Sequence, residues 1–212
     1  MDLTDLRREY TRGGLRRAEL DLNPLVQFQK WFEQALTAQL LEPSAMTLAT
    51  ADGDGRPSAR MVLLKGVDAR GFTFFTNYES RKGRELAINP RASFVFYWAE
   101  LERQVSVAGD VTKLSRAESE KYFAVRPVGS QLGAWVAMQS SVVSDRAFLE
   151  ARMQEVEGQF ANRDVETPPY WGGYLLTPLR LEFWQGRPNR LHDRFQYSKQ
   201  ADGSWRIDRL SP

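Results

Sequence analysis

The chain has 212 residues, 42% hydrophobic and 26% charged, and its net charge of +2 does not suggest a polycation that binds nucleic acid. It contains no cysteine and a single histidine, His192, which argues against disulfides, thiolate nucleophiles, iron–sulfur clusters and histidine-cluster metal sites. Because its apolar runs are far shorter than the ~20 residues of a membrane span and no secretory signal is visible, we expect a cytoplasmic protein with no membrane partner.

The N-terminal part of the chain divides into an arm and a helix. Residues 1–22 are polar and arginine-rich and predict a flexible N-terminal arm, followed by a single domain over 23–212. Asn23 and Pro24 suit the N-cap and the first position of a helix. Helical spacing of apolar residues extends this helix to about Leu41, with a buried face formed by Leu25, Phe28, Phe32, Leu36 and Leu40.

The middle of the chain changes to strand patterns. Short runs rich in β-branched and aromatic residues are separated by turn signals such as DGDGRP and NPRA. The runs are AMTLATA, SARMVLLK, FTFFTN, ASFVFYW and RQVSVAGDVTKL. Strands at this spacing, joined by short turns, indicate an antiparallel meander that closes into a barrel.

Helices and further strands complete the domain. Ser115 and Glu118 form the pattern of a capping box at the start of a helix. In SDRAFLEARMQEVEGQFAN, Leu149, Met153, Val156 and Phe160 share one helical face. The end returns to strand patterns in GGYLLTP, RLEFWQG, RFQYSK and SWRIDRL. The whole predicts one α+β domain built on a β-barrel.

A helix N-terminus is the first candidate anion site. Ser80 suits an N-cap, which places Arg81 and Lys82 in the first turn, where the helix macrodipole disfavours cations. An anion bound among them and the free N–H groups would resolve the conflict, so the pattern favours a phosphate site. A solvated basic turn is the alternative.

Two further groups of cations carry weaker signals. Arg60 and Lys65 stand on the strand SARMVLLK, where alternation puts Arg60, Val62 and Leu64 on one face. We expect both charges to reach out of the barrel. Tyr122 and Arg126 share a helix face with Ser130 just beyond, an arrangement that suits a phosphate monoester as well as an ordinary helix end.

These stretches together resemble the pyridoxine/pyridoxamine 5′-phosphate oxidase family over nearly the whole chain. The matching motifs, in family order, are RREYTRGGLRR, RMVLLK, TNYESRKGRE, ERQVSVAG, YFAVRPVGSQLGAWVAMQSS, WGGY, EFWQGRPNRLHDRF and WRIDRLSP. The resemblance implies an FMN-dependent oxidase on an antiparallel six-stranded split β-barrel with flanking helices. It also implies a homodimer with FMN at the subunit interface, acting on pyridoxine 5′-phosphate and pyridoxamine 5′-phosphate with O2.

The resemblance assigns roles to individual residues. The residues expected around FMN are Arg60, Met61, Val62, Leu63, Leu64, Lys65, Phe75, Thr76, Arg81, Lys82, Gln104, Gln139, Ser140, Trp184 and Arg194. Those expected around the substrate are Arg7, Tyr10, Lys65, Tyr122, Arg126, Ser130, Arg190, Leu191 and His192, with Arg190 and His192 in the catalytic positions. Phe75 departs from the family pattern, which has tyrosine there.

The single histidine lies within a knot of arginines in FWQGRPNRLHDRF. A zwitterionic pyridine with a phenolate and a phosphate requires cations and directed donors, which Arg190 and His192 can provide. Two alternatives stay open, a split-barrel flavin reductase and a non-catalytic FMN- or phosphate-binding module. A third interpretation makes the knot a structural ion-pair cluster in which Asp193 and Arg194 brace the barrel end.

Overall fold

The computed structural model of the protein describes residues 1–3, 9–136 and 138–212. Five helices span Pro24–Thr37 (α1), Arg81–Ile88 (α2), Arg116–Ala124 (α3), Val128–Val136 (α4) and Arg146–Phe160 (α5). Short 3-10 turns cover Arg17–Glu19, Ala99–Leu101 and Pro188–Arg190. Among the described residues, no helix is long and apolar enough to cross a membrane.

The strands form one antiparallel sheet. They span Ala45–Ala51 (β1), Pro57–Leu63 (β2), Gly66–Asp68 (β3), Gly71–Asn77 (β4), Arg91–Trp98 (β5), Arg103–Lys113 (β6), Trp171–Gln185 (β7), Asp193–Lys199 (β8) and Trp205–Leu210 (β9). Their order is β2-β1-β5-β6-β7-β4-β3, and β8 and β9 extend the sheet from the second half of β7. The α+β antiparallel barrel is confirmed: six of these strands account for the expected barrel, and β3, β8 and β9 are additional.

The sheet curls because one of its longest ladders is irregular. The register of β6 against β7 shifts between Ala108 and Gly109, so that Leu179 is left unpaired. Such a bulge bends the strand and increases its twist. A Cβ on Gly109 would lie 2.0 Å from the carbonyl oxygen of Thr177, so only glycine permits this approach. The curl brings β2, at one edge of the sheet, next to β4 near the other.

Aromatic side chains fill the barrel and bind α1 to it. Phe72, Phe94, Phe96 and Phe183 are fully buried, and Phe28 of α1 contacts Phe72 edge to face, with ring centroids 5.0 Å apart. Alternating strand residues point inward, as period-2 patterns require. Burial of this apolar area is the main stabilising contribution to the domain.

Helix α1 begins as expected and ends early. The Asn23 side chain accepts a hydrogen bond from the Leu25 N–H at 2.9 Å, which confirms the N-cap. The helix stops at Thr37 rather than near Leu41, and its buried face runs through Phe28, Trp31 and Ala35. The prediction for Leu36 was therefore wrong: it is 53% exposed because the Trp31–Ala35 side faces the sheet.

The N-terminal segment packs on the domain over its described part. Leu15 and Leu20 are buried in the main core, and the Leu15 N–H donates to Asp193 Oδ2 at 3.0 Å. The flexibility expected of residues 1–22 stays a prediction. Arg7, expected near the substrate, lies outside the described residues.

The later helices agree in part with the sequence patterns. The capping box of Ser115 and Glu118 is confirmed at the start of α3, and the expected face of α5 packs through Val156 and Phe160. Helix α4 was not predicted from the sequence. The runs GGYLLTP and RLEFWQG, expected as two strands, form the single strand β7.

Candidate functional site

The two edges of the curled sheet enclose a cavity of about 480 Å³ between β2, β4 and helices α3 and α4. A larger surface groove of about 670 Å³ crosses the outside of β1, β5 and β6, but its charged residues are exposed. The smaller cavity holds buried cations. It is lined by Met61, Val62, Leu63, Lys65, Phe75, Thr76, Asn77, Lys82, Tyr122, Arg126, Ser130, Gly133, Ala134, Gln139 and Trp171. We call this set the pocket group.

Lys82 is the most unusual member of the pocket group. Its ammonium is buried and donates to Thr76 Oγ1 at 3.1 Å, Ser80 Oγ at 3.3 Å and Gln139 Oε1 at 3.1 Å, all of them neutral acceptors. Burial, reinforced by the nearby charge of Arg60, lowers the pKa of Lys82 to about 8. A buried ammonium without a carboxylate in hydrogen-bond contact is costly unless an anion joins it.

Arg60 and Arg81 both pair with the buried carboxylate of Glu85, which the sequence analysis did not identify. Glu85 Oε1 accepts from Arg81 Nε at 2.8 Å, and its Oε2 lies 3.4 Å from Arg60 Nη2. Hydrogen bonds from the Ser58 and Thr50 hydroxyls to this carboxylate outweigh its burial and lower the pKa of Glu85 to about 2. Arg60 therefore points inward, and the expectation that it reaches out of the barrel was wrong.

Arg126 has a buried nitrogen with no hydrogen-bond partner. Its Nη1 is enclosed and unpaired within the described part of the chain, and burial lowers the pKa of the guanidinium. The guanidinium carbon lies 4.8 Å from the centre of the Trp171 ring and 5.4 Å from that of Phe123. Cation–π contacts of this kind hold a charge without satisfying its N–H donors.

The Trp171 ring that contacts Arg126 belongs to an aromatic stack with Phe75 and Tyr122. Phe75 lies 4.0 Å from Tyr122 and 5.4 Å from Trp171, with the rings nearly parallel in both pairs. Phe75 thus acts through its ring face in this arrangement. Tyr122, Arg126 and Ser130 line the same cavity, which confirms that the α3 spacing brings them together, and Lys65 lines its β2 side.

The residues from Met61 to Leu64, at the end of β2 and just beyond it, alternate as expected. Met61 and Leu63 are exposed along the cavity, whereas Val62 is half-buried and Leu64 is in the core. Gln139 joins the cavity through Lys82 and Thr76. Ser140 follows it with a left-handed φ of 73° and is exposed.

A second group of predicted residues lies elsewhere. Gln104, Trp184 and Arg194 are register partners on β6, β7 and β8, and so form a row on one face of the sheet. His192 lies 4.7 Å from Trp184, and Tyr10 covers both rings at 5.5 Å and 5.7 Å. We call these five residues, together with Arg190 two positions before His192, the ring group.

His192 has a defined hydrogen-bonding state. Its Nδ1 accepts from the Arg187 N–H at 3.1 Å, so the neutral ring carries its proton on Nε2. Burial lowers the pKa of His192, and the charges of Arg190 and Arg194 lower it further. The ring is therefore neutral at pH 7 and offers Nε2–H as a donor.

The arginines around His192 divide into two kinds. Arg194 donates twice to the Glu182 carboxylate, at 2.7 Å and 3.1 Å, and Arg187 lies 3.5 Å from Asp193. Arg190 is exposed, has a left-handed φ of 59°, and makes no hydrogen bond or ion pair with any described residue. Leu191 beside it is 70% exposed. The structural ion-pair interpretation thus fits Arg187 and Arg194, but not Arg190.

One chain keeps the two groups apart. Trp171 of the pocket group and Trp184 of the ring group stand near opposite ends of β7. Thirteen residues of extended strand correspond to about 40 Å. No cluster of acidic or histidine side chains suited to a metal ion exists among the described residues.

A curled antiparallel sheet whose edges enclose a cationic pocket defines the split-barrel class of proteins. A family model described as "Pyridoxamine 5'-phosphate oxidase" matches residues 32–160, and one described as "Pyridoxine 5'-phosphate oxidase C-terminal dimerisation region" matches 171–212. The chain belongs to the pyridoxine/pyridoxamine 5′-phosphate oxidase family.

Individual relatives are similar to this chain over nearly their full length. A protein of Nostoc punctiforme named pyridoxine/pyridoxamine 5′-phosphate oxidase is 59% identical, covering 100% of both chains. One of the same name from Paraburkholderia phymatum is also 59% identical, covering 99% of each. The crystal structure of PhzG from Burkholderia lata 383, in complex with tetrahydrophenazine-1-carboxylic acid, has a TM-score of 0.88 at 32% identity, covering 93% of this chain and 98% of that one.

Proposed function

We propose that this protein is an FMN-dependent oxidase that converts pyridoxine 5′-phosphate and pyridoxamine 5′-phosphate to pyridoxal 5′-phosphate. The observation that carries the proposal is a pair of cations in one cavity, the buried Lys82 and the half-buried Arg126 with its enclosed Nη1, neither of which has a carboxylate of a described residue in hydrogen-bond contact. Two such cations suit two phosphate groups, one on a flavin nucleotide and one on a phosphorylated substrate. The cytoplasmic location remains a prediction.

The residues around Lys82 fit the phosphate of FMN. Arg60, Arg81 and Lys82 carry three positive charges against the single negative charge of Glu85, which leaves a net +2 opposite a phosphate dianion. The N-terminus of α2 adds N–H donors and Thr76 adds a hydroxyl. When bound, FMN supplies the two-electron acceptor for oxidation of the substrate carbon and passes the electrons to O2, giving H2O2.

The α3 side of the cavity fits the substrate phosphate. Arg126 presents its unpaired Nη1, Tyr122 and Ser130 supply hydroxyls, and Lys65 adds a flexible charge from the link between β2 and β3. A phosphate held here would satisfy the buried guanidinium nitrogen that has no acceptor among the described residues.

We propose that a second copy of the chain supplies the ring group to each pocket. Trp184, Arg190 and His192 lie toward the end of β7 opposite Trp171, a path of about 40 Å along the strand, which supports their serving the pocket of another chain rather than that of their own. A two-fold dimer would bring one chain's ring group to the other chain's pocket twice. Gln104, Gln139, Trp184 and Arg194 would then surround the flavin ring.

The catalytic roles proposed for the ring group follow from its protonation and charge. Neutral His192 can donate Nε2–H to an anionic oxygen of the substrate, and it need not act as a base. Arg190 carries a guanidinium charge and makes no hydrogen bond or ion pair with a described residue, so it can place that charge over a pyridine ring. Tyr10 covers Trp184 and His192 and would keep water from the reacting face.

Anaerobic mixing of the FMN-loaded protein with pyridoxine 5′-phosphate tests this function. The expected result is loss of the yellow flavin absorbance and formation of pyridoxal 5′-phosphate, with unphosphorylated pyridoxine reacting far more slowly. A flavin that is reduced by nicotinamide cofactors but not by pyridoxine 5′-phosphate would support a flavin reductase instead. Failure to bind FMN at all would support a non-catalytic phosphate-binding module.

A further inference from the structure

The guanidinium of Arg126 is unpaired although hydrogen-bond acceptors lie nearby. Arg126 follows the last turn of α3, where the carbonyl groups of a helix lack partners within the helix. Arginine side chains near a helix C-terminus commonly turn back to bond such carbonyls. Another hydrogen-bond donor that occupied these carbonyls would leave the guanidinium of Arg126 free.

Gln131 of α4 occupies them. Its side-chain Nε2 lies 3.2 Å from the carbonyl oxygen of Phe123, 3.3 Å from that of Ala124 and 2.9 Å from that of Arg126. Gln131 is 8% exposed, so little solvent competes for this amide. The two N–H groups of this amide are thus shared among three carbonyls at the end of α3, of which that of Phe123 also accepts the backbone N–H of Arg126 at 3.1 Å.

The aromatic rings of Trp171 and Phe123 then fix where the guanidinium lies. Both ring faces are within cation–π distance of Arg126, and neither offers a strong acceptor. The guanidinium is kept beside the cavity with Nη1 enclosed and unpaired. Such a cation is preorganised for an incoming anion because it has no internal bond to break.

We propose that Gln131 is a positioning residue for substrate binding: by occupying the carbonyl groups at the C-terminal end of α3, it reserves Arg126 for the phosphate of the substrate. This inference rests on the proposed function, in which that phosphate binds beside Arg126. Gln131 itself does not line the cavity and acts only through the guanidinium.

Gln131→Met tests the proposal because methionine has a similar length and no donor. In the variant the freed carbonyls compete for Arg126, so the dissociation constant of pyridoxal 5′-phosphate from the FMN-loaded dimer should rise about tenfold. Binding of unphosphorylated pyridoxal and the affinity for FMN should remain unchanged. Gln27→Met is the matched control, since Gln27 is also buried and bonds backbone far from the cavity; it should leave all three affinities unchanged.

A double-mutant cycle with Arg126→Met separates positioning from general loosening of the fold. If Gln131 acts through Arg126, Gln131→Met should cost nothing further in the Arg126→Met background. Equal losses for pyridoxal 5′-phosphate and pyridoxal, an unchanged discrimination between them, or the same added loss in both backgrounds would each overturn the proposal. If Gln131→Met does not fold, Gln131→Asn, whose shorter amide cannot reach all three carbonyls, takes its place with the same expected pattern.

The cycle also separates this inference from the function on which it rests. If Arg126→Met alone leaves the preference for pyridoxal 5′-phosphate over pyridoxal intact, the substrate-phosphate assignment itself fails. If Arg126→Met abolishes the preference and Gln131→Met does not alter it, only the positioning role fails.

Discussion

Replacing Lys82 with methionine should weaken FMN binding and leave riboflavin binding almost unchanged. Methionine keeps most of the apolar stem and removes the ammonium that donates to Thr76, Ser80 and Gln139. A charge-assisted hydrogen bond contributes about 1.5–3 kcal/mol, which corresponds to about a ten- to hundredfold loss in FMN affinity. Riboflavin lacks the phosphate, so its affinity should change by less than about twofold.

The same substitution should stabilise the protein without flavin. The pKa of Lys82 falls from 10.5 to about 8, so the charged form costs the folded state about 3 kcal/mol at pH 7. This cost is fully present below pH 8 and disappears as the pH rises toward 10.5. The lost hydrogen bonds offset part of the gain, which leaves about 1 kcal/mol, or about 2–4 °C in Tm for a chain of this size.

Flavin fluorescence quenching measures both affinities, and thermal unfolding of the flavin-free protein measures stability. A lower FMN affinity together with a higher Tm of the flavin-free variant would show that Lys82 binds an anion and destabilises the folded protein when that anion is absent. Equal losses for FMN and riboflavin, or a lower Tm of the flavin-free variant, would refute the reasoning. Arg84→Met on the exposed side of α2 is the matched control and should alter neither quantity.

Three further predictions concern the pH dependence of FMN binding, the aromatic stack around Phe75, and the roles of Arg190 and His192. The preference of the wild type for FMN over riboflavin should fall as the pH rises above about 8, where Lys82 loses its proton, and a titration should show no such slope in Lys82→Met. Phe75→Tyr should change FMN affinity by less than about threefold, since the ring stacks through its face at 4.0 Å; a larger change would show that a hydroxyl matters there. Arg190→Met should lower kcat/KM roughly a hundredfold with flavin content intact, whereas His192→Asn should do less harm; normal flavin reduction per bound flavin in Arg190→Met would contradict the catalytic role.

Local signals in the sequence predicted most of the elements. The N-cap at Asn23 and the capping box at Ser115 were readable because each bonds within three residues of itself. Helix α4 could not be predicted in the same way, because its segment has glycines at 129 and 133 and its helical state depends on packing against α5. The exposed Leu36 shows the same limit, since tertiary contacts of Trp31 decide which side of α1 is buried.

The sequence predicted which residues line the candidate site, but not which other side chains pair with them or position them. The family motifs indicated Lys82 and Arg126, and both line the cavity. Glu85 and Gln131 were missed because their decisive contacts are made with residues of other elements, which the sequence does not show to be neighbours. An i, i+4 spacing of Arg81 and Glu85 was the one signal that could have indicated the carboxylate.

The central claim is that each catalytic site combines the pocket group of one chain with the ring group of another. Mixing the Arg126→Met and Arg190→Met chains, after unfolding and refolding together, tests this claim most directly. Half of the dimers formed should be heterodimers, each with one site made of two unaltered halves, so activity should recover to about a quarter of the wild-type value. A mixture no more active than the two separate variants would contradict the claim, because it would mean that each site belongs to a single chain.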